Sequence, residues 1–454
     1  MKLSAKEFMA SIAFDRKLYE EEIECSIAHA KMLAGNGIIT EEETEKIVAA
    51  LKEIRKEIQD GKLRFTIEHE DVHSGIHIFL TDKIGELAKV MRVGRGVNDQ
   101  VVADSRLFLK KETEAINELL TNLLDTLEGI ARENVNTIMP GYSHLQRSQP
   151  VTLAHHFLAY YQMFNRDRKR FANCLEGINL LPPDCGASAG TSFDLDRTML
   201  AEELGFDGFL PNAMDAASDR DFAMEFINCC AIAMTHLSRF CEDLILWDTV
   251  EFDFIEIDLE FCTQSKVMPQ KRNLDVAELI RGKAGRVYGD LINLLTIFKG
   301  LPMTYNRDMQ EDKVPVMDAA NTLESSLYLF VEMIKTMKIN RGNMQRAAKY
   351  GYMNATELFN YLSDKGIDSE NSARIVGKVV EYAINHGKPI EELWLDDLKQ
   401  FSQAFDSDVY DRIAIRNVIA SKKSKGSTSF KSVEEQLAKI AESKSIYYAA
   451  ALVI

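Results

Sequence analysis

Proline placement limits this chain more than any other feature. The nine prolines stand at positions 140, 150, 182, 183, 211, 269, 302, 315 and 389, leaving long tracts free of the residue least able to continue a helix. Inside those tracts apolar residues recur mostly three or four apart: Leu109, Ile116, Leu120, Leu123, Leu127 and Ile130 between about Asn98 and Ala131. The same spacing returns at Val276, Ile280, Ala284, Val287, Leu291, Leu294 and Phe298, and again at Val316, Ala320, Leu323, Leu327, Phe330, Ile334 and Met337. With the runs from Thr152 to Leu175 and from Ser218 to Leu246, the pattern predicts about five long helices in a bundle. Stripes this long predict that part of their apolar surface faces other subunits.

Strand-like alternation is scarce, so the expected class is all-α. Shorter helices are predicted at Asp15 to Ala34 and Thr40 to Gln59, jointed at Gly35 and Gly37, and a second set of short helices follows Lys349, with stops at Gly366 and Gly387. The expected plan is an elongated central bundle, residues 98–348, flanked by smaller helical domains at 1–97 and 349–454.

Seventy acidic residues against 54 basic ones give a formal net charge of -16, which argues against a nucleic-acid or anionic-membrane partner. Any anionic substrate must then be held by locally placed cations. Charges interrupt every apolar stretch before the roughly 20 residues of a membrane span, and the N-terminal residues lack a signal-peptide core, so cytoplasmic residence is expected. The seven cysteines show no CxxC spacing and read as reduced core thiols.

The segment Thr263-Gln-Ser265-Lys-Val-Met268-Pro-Gln-Lys271-Arg-Asn273 is a polar loop just ahead of a strong helix. It offers a hydroxyl, an ammonium and an amide within nine residues, under the positive potential of a helix N-terminus. These groups suit a carboxylate whose charge grows during reaction. On composition alone the same loop is an ordinary exposed one. Its wording resembles the signature loop of the fumarase and aspartase superfamily, Gly-Ser-Ser-x-Met-Pro-x-Lys-x-Asn-Pro. The Gln-Lys pair and the run from Glu278 to Arg286 narrow the resemblance to the argininosuccinate lyases. Pro140-Gly-Tyr-Ser143-His144-Leu-Gln146-Arg-Ser-Gln-Pro150 and Gly94-Arg-Gly-Val-Asn98-Asp-Gln100 resemble two further blocks of that family. Matching stretches around Ser26, at Met214 to Asp221, Lys299 to Asn306 and Gln310 to Lys313 follow in family order.

The resemblance implies a carbon-nitrogen lyase of arginine biosynthesis that needs no cofactor and no metal. Its substrate would be argininosuccinate or a similar N-succinyl compound. It implies Ser265 as the base that removes a proton beside a succinyl carboxylate, with Lys271 and Asn273 stabilising the enolate-like product. His144, backed by Glu278, would bind substrate and help protonate the departing nitrogen, with Ser143, Gln146 and Asn98 as further substrate-binding residues. Ser26, Tyr305, Gln310 and Lys313 would hold the amino-acid half. The resemblance also implies a homotetramer whose composite active sites join the Asn98, His144 and Ser265 blocks of three subunits.

The chain departs from the family where relatives carry His-Thr-Gly-Arg-Ser-Arg-Asn-Asp-Gln. It has Arg92, Gly96 and Val97 there, and Gln264, Lys266 and Leu274 in the signature loop. Three other readings stand beside the main one. A related lyase could act on another N-substituted aspartate, and a non-enzymatic oligomer could resemble the lens crystallins of this family. His69-Glu70-Asp-Val-His73 satisfies the HExxH pattern of zinc proteases, which requires both histidines on one helix face.

Overall fold

The computed structural model describes residues 4–182 and 186–451, which leaves Cys185 and Pro183 outside the described residues. The periodic tracts fold as long helices at Val97–Glu133, Leu153–Ile178, Asp221–Asp248, Asp275–Phe298 and Lys313–Thr336. Strands are short, and the all-α class holds. No described helix is long and apolar enough to cross a membrane.

Contact density divides the chain into two units, residues 1–120, 166–237 and 282–328 in the first, and 121–165, 238–281 and 329–454 in the second. The first unit buries a core built on Ile23, Met32, Leu33, Ile47, Leu51, Ile54, Val72 and Leu80, all at most 2% exposed. These residues come from helices Tyr19–Gly35, Glu41–Gln59 and Val72–Ile84. Thr40 caps the second of them through a reciprocal bond with Glu43, as its position before an apolar stripe predicts. The helix expected from Asp15 starts differently: Arg16–Leu18 form a 3-10 turn, and the α-helix begins at Tyr19.

The second unit packs Phe157 against Phe240 in a T-shaped contact and Phe330 against Phe240 with tilted rings, and Tyr160 stacks on Phe240 with ring centroids 3.8 Å apart. Asp243 accepts from the Tyr160 hydroxyl at 2.7 Å and lies 2.8 Å from His156 Nε2, so this polar group is satisfied at the edge of the aromatic core. A separate cluster around Leu358, Leu362, Val379, Leu398 and Phe405 closes the C-terminal helices. The six described cysteines are free thiols, five of them buried.

In the first unit, Glu112 on the Val97–Glu133 helix meets Glu324 on the Lys313–Thr336 helix. Burial first, and the Glu324 carboxyl second, push Glu112 up to about 8. A carboxyl whose folded pKa is raised contributes stability that is full below its unfolded value and is lost as pH rises through the folded value. Glu112→Gln is therefore expected to raise the thermal midpoint over the parent protein at pH 8 to 9 and to change it little at pH 5. Thermal melts of both proteins across that range check the sign.

Candidate functional site

The loop around Ser265 is closed by its own backbone. Thr263 and Gln264 pair with Asn273 and Arg272 as a two-residue antiparallel ladder. Inside it the Ser265 N–H donates to the Lys271 carbonyl at 3.1 Å, and the Lys271 N–H to the Met268 carbonyl at 2.9 Å. Arg272 anchors the base of the loop by donating to the Asp248 carboxylate at 2.9 Å and to the Ile257 carbonyl at 3.2 Å. Leu274, 5% exposed, roots the next residue in the core, and the Asp275–Phe298 helix begins there with Glu278 exposed in its first turn.

One backbone donor faces the serine oxygen. The Met268 N–H donates to Ser265 Oγ at 3.1 Å, a contact that strengthens if the hydroxyl loses its proton. Among the described residues the ammonium groups of Lys266 and Lys271 have no hydrogen-bond or ion-pair partner, in a chain whose surface is rich in acidic groups. Asn273 Nδ2 reaches Thr263 Oγ1 only at 3.5 Å, which leaves its amide free to turn to a ligand.

The His144 block is a hairpin, although its sequence lacks the usual signal for one. Strands Ile138–Ser143 and Gln146–Thr152 pair antiparallel, with Ser143 opposite Gln146 across a two-residue turn. The turn residues His144 and Leu145 have φ of 52° and 59°, the left-handed conformation that such turns require and that Asn-Gly normally supplies. Holding two ordinary side chains there costs about 1–3 kcal/mol each. The strand pairing offsets it, helped by Ile138 in an apolar cluster with Ala348, Met353 and Ile419, and by the Thr152 N–H donating to Thr428 Oγ1 at 2.9 Å. Gly141 sits at a register shift between Pro140 and Tyr142, where a Cβ would come within 2.8 Å of the Gln149 carbonyl. The result is a braced projection carrying Ser143, His144 and Gln146, with no partner for the imidazole among the described residues.

Ser265, Lys271, Asn273, Glu278, Ser143, His144 and Gln146 all belong to the second unit, and Ser26, Asn98, Tyr305, Gln310 and Lys313 to the first. Ser26, 4% exposed, donates to Glu22 Oε1 at 2.8 Å and accepts from Arg95 Nη1 at 2.8 Å. Asn98 stands in the first turn of the Val97–Glu133 helix. Tyr305 follows Thr304, whose φ of 72° is a strained setting for a β-branched residue, held by the Thr304 N–H donating to Ser218 Oγ. Gln310 Nε2 donates to the Met9 carbonyl at 3.1 Å. Lys313 is buried and lies 3.0 Å from Asp312, so its ammonium is already paired rather than free as its motif suggests.

Two networks escaped the sequence reading. Arg220, 2% exposed, donates to Asp312 at 2.6 Å, which ties the Met214–Asp221 stretch to the Gln310–Lys313 stretch. Burial pushes the Asp312 carboxyl up, but Lys313 and Arg220 outweigh it and hold it below its ordinary value. The other network gathers around Glu22, which accepts from Gln100 at 2.9 Å and lies 2.7 Å from His73 Nδ1. Glu22, His73 and Asp104 bring possible ligand atoms within 4.8 Å of one another, a set that could hold a metal ion. Arg95, 3.7 Å from Glu22, already supplies a cation there. Burial and the Glu22 charge push Asp104 well up, while Glu22, despite its burial, is held low by Arg95 and His73.

The HExxH reading fails on backbone geometry. His69 ends a 3-10 turn, Glu70 has a φ of 63°, and the helix carrying His73 starts only at Val72. His69 packs against Phe79, whereas His73 faces Glu22.

Comparison with known proteins adds to this geometry. Residues 4–289 match a family model described as lyase, and residues 352–420 one described as argininosuccinate lyase C-terminal. The argininosuccinate lyase of Carboxydothermus hydrogenoformans is 51% identical over 432 residues, 95% of this chain and 95% of the relative. That of Acetivibrio thermocellus is 48% identical over 430 residues, 95% and 94% of the two chains. Among solved structures, an EDDS lyase in complex with formate superposes with a TM-score of 0.83 at 26% identity, over 96% of this chain and 88% of the other. A class II fumarase from Schistosoma mansoni shares the fold with a TM-score of 0.76 at 16% identity, over 89% and 91%.

Proposed function

The chain belongs to the argininosuccinate lyases, carbon-nitrogen lyases that split argininosuccinate into arginine and fumarate, and on that premise we propose that its own elimination is run by the Ser265 loop. Ser265 takes the proton from the carbon beside a succinyl carboxylate. The electron pair moves into that carboxylate, which becomes an enolate-like dianion held by Lys271 and Asn273. Its return forms the double bond of fumarate and expels the nitrogen. His144, backed by Glu278, protonates that nitrogen, with Ser143 and Gln146 fixing the substrate. Ser26, Asn98, Tyr305, Gln310 and Lys313 hold the remaining carboxylate and amino-acid groups.

The observation that carries this reading is the Ser265 oxygen accepting a backbone N–H in a loop that also presents the Lys271 ammonium, unpaired among the described residues. The test is the absorbance of fumarate on adding argininosuccinate, run beside other N-succinyl compounds. Equimolar arginine and fumarate are expected. Release from another N-succinyl compound alone would favour the second reading, a lyase for a different N-substituted aspartate. That reading draws on Gly96 and Val97, which remove a hydroxyl and a guanidinium from a carboxylate site. Restoring Gly96→Ser and Val97→Arg together separates the two, since only an argininosuccinate lyase gains argininosuccinate cleavage.

The assembly is a cytoplasmic homotetramer in which the Asn98, His144 and Ser265 blocks of different copies complete each site. In support, Tyr288, Ile292 and Leu295 expose 40%, 62% and 44% of their surface along one helix. Gly282, Gly285 and Gly289 on that helix have open space where a Cβ would stand. Such a stripe fits close packing by a partner helix. Sedimentation should give a tetramer, and a stable, active monomer would contradict it. Three structural segments, 1–97, 98–348 and 349–454, are proposed to persist as limited-proteolysis fragments.

A further inference from the structure

The first unit contains a cavity of about 570 Å³, lined in part by Ser26, His77, Arg92, Arg95, Val97 and Gln100. It opens beside two residues assigned above to the substrate, Ser26 and Asn98, yet its wall is electrostatically awkward for an anion. Glu22 lies in it as a buried carboxylate. Arg95 is already engaged, donating to Ser26 Oγ at 2.8 Å and lying 3.7 Å from Glu22. Gly96 has no side chain, and Val97 presents an apolar surface 54% exposed. A dicarboxylate entering here needs another cation.

Arg92 meets that need. It ends the 3-10 segment Gly85–Arg92, and the chain then turns through Gly94 at a φ of 63°, so that Arg92 and Arg95 both line the cavity. Its side chain is exposed and has no hydrogen-bond or ion-pair partner among the described residues. His77, also in the lining, has its pKa lowered by its burial and then by the charge of Arg92, which places the imidazole close to the guanidinium. A free guanidinium fork can take both oxygens of a carboxylate through two parallel N–H···O bonds, a planar match that an ammonium lacks.

We propose that Arg92 is a specificity-determining residue of this chain, receiving a carboxylate of the succinyl half in this cavity with His77 beside it, in place of the arginine that relatives carry where this chain has Val97. The proposal rests on the lyase reading for the identity of the ligand, but its test does not require turnover. Succinate and arginine are titrated separately by calorimetry into the full-length protein and into Arg92→Gln, a substitution at an exposed, unpartnered side chain.

Succinate is expected to bind Arg92→Gln about tenfold more weakly, a loss of about 1.4 kcal/mol, with arginine binding unchanged. The KM for argininosuccinate should rise by a similar factor. Equal succinate affinity in the two proteins, no succinate binding to the parent protein, or a loss confined to arginine would each overturn the proposal. Arg92-dependent succinate binding in a protein that releases no fumarate from argininosuccinate would instead sink the lyase reading and leave this one standing.

Discussion

Ser265→Ala is expected to reduce fumarate release from argininosuccinate by about a hundred- to ten-thousandfold, the range over which a positioned general base acts, while the protein folds and binds substrate as before. The expectation follows from how little the hydroxyl does for the fold. Ser265 is half-buried in a loop closed by backbone bonds to Lys271, and its Oγ accepts one backbone hydrogen bond, from Met268. Losing that bond costs about 0.5–1.5 kcal/mol, too little to unfold the loop. Losing the oxygen leaves the substrate carbon facing a methyl group that cannot take a proton. Lys271→Met should behave differently, raising KM and lowering kcat together, because its charge meets a carboxylate in the ground state and a dianion in the transition state. If Ser265→Ala kept most of its kcat, Ser265 could not be the base.

Asp312→Ala should give the reverse result, a large loss of stability from a residue with no part in the chemistry. Asp312 is 3% exposed and sits between Arg220, 2% exposed, and Lys313, 6% exposed. Its removal takes away the ion-pair partner of two buried cations, and breaking such a group costs about 3–5 kcal/mol. The thermal midpoint should fall by several degrees, with Asp312→Glu recovering part of it. The same triad fixes an acid limit. The Asp312 carboxyl is held below its ordinary value, so its contribution is full above the unfolded pKa of about 4 and is lost as pH falls through the folded one. Parent and variant melts should therefore converge as the pH drops below about 4. A midpoint unchanged at neutral pH would show that the triad is not the strut described here.

The long helices were legible because their apolar spacing is local and repeated over many turns, from Leu109 to Ile130 and from Val276 to Phe298. The His144 hairpin was not, because its two-residue turn is His-Leu rather than Asn-Gly, and its strands, which hold Pro140, Gly141 and Pro150, show no clean alternation. The resemblance of motifs named Ser265 and His144, but not what holds them: Arg272 on Asp248, or Met268 on the serine oxygen. The Arg220–Asp312 pair joins residues 92 positions apart, and nothing local in either stretch announces it. Glu22 lies one helical turn before Ser26, close enough to have been suspected, but Arg95 and His73 arrive from elsewhere in the chain. The HExxH pattern misled for the opposite reason. It is a helical spacing, and the left-handed φ at Glu70 breaks the helix inside it.

A structure of Ser265→Ala with argininosuccinate bound tests the whole arrangement at once. A succinyl carboxylate is expected between Lys271 and Asn273, with the adjacent carbon facing residue 265 and His144 of another copy at the scissile nitrogen. Substrate held away from the Ser265 loop, or a residue 265 turned from the carbon that loses its proton, would contradict it.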